Sequence, residues 1–146
     1  WSSKKVVHEV SVLLVITRAA LALLPYRLVQ RAAERFGSRQ VANVEPGQYQ
    51  RTLTWAASGI GRYLLGERPC LVQAMVVKGM LARAGVATDL RIGVRRDVEG
   101  TLTAHAWLEQ QGEVILGGRR SPSMYLALAP LEHGRMAQNI SARRIA

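Results

Sequence analysis

Cysteine is almost missing from this sequence: Cys70 is the only one in 146 residues. A single thiol excludes an internal disulfide framework and a zinc site built from several cysteines. It suits a reducing compartment, and a cytoplasmic location is the expectation. Aromatic residues are scarce at 5%, so Ala, Leu and Val must build most of the core. Acidic residues are few as well: 10 Asp and Glu stand against 20 Lys and Arg, a formal net charge of +10. The basic residues include the pairs Lys4-Lys5, Arg95-Arg96, Arg119-Arg120 and Arg143-Arg144, with no run of five and no aromatic-interleaved nucleic-acid motif. Such a surface steers polyanions and acidic peptides towards itself. An acidic peptide or partner protein accounts for the charge as well as DNA or RNA does, and no specific nucleic acid is expected.

A long uninterrupted hydrophobic run is also lacking. The best candidate, "SVLLVITRAALALLPY" from Ser11, is broken by Arg18 and ended by Pro25. Neither side reaches the roughly 18 apolar residues of a spanning helix, and no convincing cleavage site follows. The expectation is a core helix with no membrane span; a helix on a membrane surface is the other reading. With 49% apolar residues, the chain suits one domain over 1–146. Its parts are a helical region at 6–66, a chemistry-bearing core at 67–131 and a loosely held tail at 132–146.

The first third repeats apolar residues at helical spacing: Val6, Val10, Leu13, Leu14, Ile16 and Leu21. "YRLVQRAAERFG" after Pro25 reads as a second helix, stopped by Gly37. Ser38 to Gln50, with its Pro-Gly, reads as a loop. "RTLTWAASGIGRYLL" is a third helix, weakened by Gly59 and Gly61. "PCLVQAMVVKGMLARAG" is a fourth, opening at Pro69, with Glu67 as a poor cap and Gly85 as its terminator. The period then drops to two. Val86, Thr88, Leu90, Ile92 and Val94 alternate in one strand. Leu102, Ala104, Ala106 and Leu108 face one way in the next, and Thr103, His105, Trp107 and Glu109 face the other. A turn at Gly112 leads into a short third strand, and "SPSMYLALAPLE" adds a strand or a short helix. Helices followed by hairpins predict an α+β fold, with helices on one face of an antiparallel sheet.

Cys70 therefore falls in the first turn of a helix. Unpaired N–H groups and the positive end of the helix dipole stabilise a thiolate there and hold an oxyanion. A lone cysteine is more often a small apolar filler, and a lone strand histidine more often a hydrogen-bonded structural residue. Together, Cys70 at a helix start and His105 on a following strand match the geometry of a nucleophile and its base. Small neighbours, Ala104 and Ala106, leave the imidazole approachable. His8 and His133 are scattered, and no metal-ligand spacing is present. Trp107 reads as a packing residue that could also roof a cleft. Gln73 reads better as a solvated helix residue than as a cleft residue.

"RPCLVQAMVVKGMLARAGVATDLRIGVRR" followed by "AHAWLEQQGEVILGG" resembles the leader peptidases of lasso-peptide biosynthesis, the stand-alone protease half of a split maturation protein. These are transglutaminase-like, papain-type cysteine enzymes. The shared features are the "PCL" helix start, the Leu81-to-Gly85 helix end, the "IGV" strand and "AHAW-x-E"; the likeness spans about Val6 to Leu131. The resemblance implies a papain/transglutaminase-like core, with Cys70 as nucleophile and His105 as general base and then acid. It implies cleavage of a ribosomal precursor peptide between leader and core, without metal, nucleotide or other cofactor. It implies as partners the precursor, a leader-recognition protein and a lasso cyclase.

The family's carboxylate beside the histidine is absent here. A two-residue turn at Gln111-Gly112 would pair His105 with Gly118 and Ala106 with Gly117, so the acidic position reads glycine. Glu109 shares the histidine's face but lies about 13 Å away at about 3.3 Å per residue. Glu113 lies at the turn. Asp89, Asp97, a main-chain carbonyl or an amide are the other candidates to orient the ring. Two further functions stay open: acyl transfer to an amine, as transglutaminases perform it, and a non-catalytic module that binds peptide or nucleic acid.

Overall fold

The computed structural model describes residues 2–39, 45–65, 69–118 and 121–128. In chain order it forms α1 (Ser3–Leu23), α2 (Tyr26–Gly37), α3 (Pro46–Leu65), α4 (Cys70–Arg83), β1 (Asp89–Arg96), β2 (Leu102–Gln110), β3 (Glu113–Leu116), α5 (Ser121–Met124) and β4 (Leu126–Ala127). The strands make one antiparallel sheet in the order β3-β2-β1-β4, and the architecture is the expected α+β. Both a short helix and a strand come from the "SPSMYLAL" stretch. Glu67, His133 and the tail at 132–146 lie outside the described residues.

The fold is organised around α4. Its sequence is apolar on every side, which is the pattern of a helix enclosed by protein rather than laid on a surface. Val72 to Val77 and Gly79 to Leu81 are all buried. α1, α2 and α3 pack against it, and so do β1 and β2. The helix ends in a Schellman motif. Gly85 takes φ +76°, its N–H bonds Ala82 O at 3.0 Å, and Val86 N–H bonds Leu81 O at 2.9 Å. Leu81 and Val86 both lie in the core, supplying the hydrophobic contact that accompanies the motif.

Three local readings of the sequence change. Pro46 and Gly47 belong to α3 rather than to the preceding loop; proline at a first helical position loses no hydrogen bond that the helix needs. Gly37 does close α2, but its role is close packing: a Cβ there would lie 3.0 Å from Ala82 Cβ. Gln73 is neither solvated nor in a cleft. It is buried, and its Nε2 donates to Ala57 O on α3 at 2.9 Å. Gly61 makes room for it, since a Cβ at Gly61 would collide with that amide. The glycine that weakens α3 as an isolated helix thus permits the contact between α3 and α4.

α1 is a core helix for only part of its length. Val6, Val10 and Leu14 are buried, whereas Val12, Val15, Ile16 and Leu23 are exposed. Arg18 does not divide it; α1 is long and apolar enough, by length and composition, to cross a membrane. Glu9 ties it to the end of α4 through Arg83 Nη1 at 2.6 Å, and the same guanidinium lies 4.5 Å from the Phe36 ring centroid.

In the sheet, Ala106, Leu108 and Leu116 join the helical residues in the core, with Leu90 and Ile92 packed beside them. Ile92 lies opposite Ala106 and Leu90 opposite Leu108. The alternate set, Gly93 opposite His105 and Arg91 opposite Trp107, therefore belongs to the other face. Gln111 and Gly112 both adopt positive φ, 51° and 84°, as a two-residue hairpin turn requires. Past the turn the register departs from expectation. Glu109 pairs with Val114 but Leu108 with Leu116, so a bulge at Ile115 shifts everything beyond it by one residue.

Gly61→Ala should force Gln73 away from Ala57 and destabilise the fold by about 1–3 kcal/mol, read as a lower urea midpoint with m unchanged. Tyr49 supplies a pH test. Burial pushes its phenol above the usual value, Glu9 adds to this, and Arg83 opposes it. The fold thus favours the neutral phenol. That stability is complete below about pH 10 and is lost as pH rises through the raised folded value. Urea midpoints measured across alkaline pH should fall there, and fall less in Tyr49→Phe.

Candidate active site

Cys70 is the first residue of α4, preceded by Pro69 with φ −78° and ψ 8°. The first intrahelical bond runs from Gln73 N–H to Pro69 O at 2.9 Å. The N–H groups of Cys70, Leu71 and Val72 precede it and carry the positive end of the helix dipole. The thiol is free and half-buried, and the residue packs against the edge of the core. Because the rest of α4 is enclosed, the packing of the helix fixes the place of the sulfur.

His105 lies in the middle of β2 and is half-buried. Its Nε2 is 2.7 Å from Gly117 O. A carbonyl only accepts, so Nε2 carries the proton, and in the neutral ring Nδ1 holds the free lone pair. The imidazole is thus bonded by main chain rather than by a carboxylate. Gly117 can serve because it takes φ +98° and presses closely on β2. A Cβ there would lie 2.6 Å from Trp107 Cβ and 2.9 Å from Ala106 O. The bulge at Ile115 is what moves Gly117 from the expected place opposite Ala106 to one beside Trp107.

Of the remaining candidates, Glu109 and Asp97 are bonded elsewhere, and Asp89 and Glu113 stand away from His105 along the ladder. Glu109 accepts from Trp107 Nε1 at 2.8 Å and from Arg91 Nε at 3.2 Å. Asp97 Oδ1 accepts from Glu99 and Thr101 N–H in the β1–β2 turn. Asp89 stands opposite Glu109 at the far end of the ladder, and Glu113 stands opposite Gln110 by the hairpin turn. Trp107 is 1% exposed, so it is a packing residue rather than a roof. Its ring lies over Gly93, and its centroid is 6.2 Å from that of His105. Sequence reasoning missed Tyr125, whose ring centroid lies 5.1 Å from the imidazole and which carries Arg95 on it at 5.3 Å. Nothing in the local sequence pointed to Tyr125; the Gly117-Gly118 pair did signal a special backbone.

α4 packs on β2, but through the face of Ala106 and Leu108. His105 belongs to the other face of the sheet, so this packing does not itself bring the imidazole to Cys70. No hydrogen bond joins Cys70 Sγ to His105; the imidazole's bond is the one to Gly117. Catalytic hydrogen bonds are often long in a ligand-free site and tighten only around substrate. His8 is exposed on α1. Among the described residues, no group of three or more His, Cys, Asp or Glu side chains is placed to hold a metal ion.

A thiol opens an enclosed helix, and an imidazole lies on the sheet that this helix packs against, on the face turned away from it. The sequence model of the transglutaminase-like superfamily matches residues 11–132, and the chain belongs to that superfamily. The match takes in both Cys70 and His105. No curated protein and no solved structure matches the chain.

Gly117→Ala should displace the orienting carbonyl and lower kcat on a cleaved peptide on the order of 10²-fold, with KM little changed. Single-turnover kinetics check this; an unchanged kcat would remove Gly117 from the site.

Proposed function

We propose that this protein is a cysteine peptidase that separates the leader from the core of a ribosomal precursor peptide of the lasso type. The observation that carries the reading is an imidazole whose Nε2–H is held by Gly117 O, leaving Nδ1 free, in a chain whose single thiol opens α4. Membership of the transglutaminase-like superfamily supports thiol-based acyl chemistry. The likeness of "PCL" and "AHAW-x-E" to lasso leader peptidases supports the narrower substrate.

In this mechanism, Nδ1 of His105 takes the thiol proton and Cys70 Sγ attacks the scissile carbonyl carbon. The N–H groups at the start of α4, that of Cys70 foremost, stabilise the resulting oxyanion. The tetrahedral intermediate collapses to a thioester as the imidazolium donates its proton to the departing amine. Water, deprotonated by Nδ1, then attacks the thioester. This releases the leader's carboxylate and regenerates the thiol. The free amine of the core is what a separate cyclase would join to an acidic side chain. No metal or nucleotide takes part. A leader-recognition protein would present the precursor, and the net charge of +10 would draw in an acidic leader or partner. Transglutaminase-like transfer differs only in the last step, where an amine replaces water.

One observation favours a second reading, a non-catalytic peptide-binding module: the sulfur and the imidazole share no hydrogen bond, and no carboxylate backs His105. Precursor hydrolysis followed by mass spectrometry separates the readings. The wild type should release leader and core, whereas Cys70→Ala and His105→Ala should lose about 10³-fold or more. Equal turnover by all three, or none by any, rejects the peptidase. A product heavier by an added amine gives the transferase. Raising salt from low to physiological strength should weaken precursor binding if charge steers it.

A further inference from the structure

The apolar surface left open by the helices lies far along α1 from its buried half. From Val12 to Leu23, Arg18 is the only charged residue of α1. Ile16 is 57% exposed and Leu23 81%, and Leu24 and Leu28 continue this surface across the turn at Pro25 into α2. Between α1 and α2 runs an apolar groove of about 200 Å³. Ile16, Ala20 and Leu24 line it from one side and Leu28 and Ala32 from the other, with Met75 of α4 among the residues beneath. Immediately outside Leu28 and Ala32, at helical spacing, stand Arg27, Arg31 and Arg35, all exposed. The acidic residues of these two helices are Glu9, which is paired with Arg83, and Glu34, which accepts from Gln30.

We infer that the α1–α2 elbow is a docking face for an anionic phospholipid surface. Its apolar residues would enter the headgroup–acyl boundary, and the arginine stripe would lie at the level of the phosphates. This is the design of an amphipathic interfacial helix, with arginines on the polar face and leucines beside them. Charge complementarity selects the occupant: a cationic stripe along an apolar edge, on a chain of net charge +10, matches a negatively charged leaflet. Width selects lipid over a single bound helix. The apolar band extends from the groove around the outside of α1 through Val12, Val15 and Ala19, beyond the footprint of one helix laid in the groove. A helix apolar enough to cross a bilayer yet mostly unburied is also what a membrane-facing element requires. The inference does not depend on the peptidase reading, because neither Cys70 nor His105 takes part.

Vesicle flotation tests it. The wild type should float with vesicles of phosphatidylglycerol and phosphatidylcholine, and much less with phosphatidylcholine alone. Replacing Arg27, Arg31 and Arg35 together by Gln should lower the partition coefficient about a hundredfold. Leu24→Ser with Leu28→Ser should lower it about tenfold or more. Circular dichroism checks that the variants fold. Leu28→Trp, which leaves the charge intact, should be quenched by brominated lipid. Failure to float with anionic vesicles overturns the inference, as does indifference to both sets of substitutions or an unquenched Trp at position 28. If the wild type binds no vesicle but binds an acidic amphipathic helical peptide through these residues, the face belongs to a protein partner and the lipid proposal falls.

Discussion

The enclosure of α4 is the constraint on which the rest of the structure depends. A helix apolar on all sides has no stable place at a surface, so three helices and the sheet must surround it. Its first residue then stands at the margin of the core rather than within it. A sulfur placed in this way lies beside unpaired N–H groups, with a mainly buried and rigid element behind it. Gln73, bonded to α3 three residues further on, extends the same rigidity towards the start of the helix.

The sheet solves the matching problem for the imidazole by an unusual route. A carboxylate on the neighbouring strand would both orient the ring and stabilise its cation. A main-chain carbonyl can also orient it but carries no full charge. The cost is conformational: Gly117 must take a positive φ and lie against Trp107 without a side chain. The bulge at Ile115, the glycine at 117 and the indole at 107, anchored by Glu109, thus form a single device. Its product is one tautomer, with Nδ1 as the basic atom.

Much of this was legible in the sequence, because patterns of local origin survive folding. The helix over Tyr26–Gly37, the terminator at Gly85, the alternation in β2 and the Gln111-Gly112 turn all follow from backbone rules that need no partner. The residue types at 70 and 105 were visible for the same reason. What was hidden is what depends on a neighbour. The bulge moves a register by one residue with no marker beyond two glycines. Gln73 looked like a surface residue because its partner, Ala57 O, belongs to another helix. Tyr125 reaches His105 only through the pairing of β4 with β1. The exposure of α1 was hidden for a similar reason: an apolar helix reads as core until its neighbours are counted.

The central claim is that the imidazole of His105 serves the sulfur of Cys70. The rate of Cys70 alkylation by iodoacetamide at neutral pH, compared between wild type and a folded His105→Ala variant, tests it most directly. The account predicts a rate at least about tenfold slower in the variant, because no base remains to take the thiol proton. Equal rates would mean that the two groups do not communicate, and the chain would then be a transglutaminase-like fold without the chemistry.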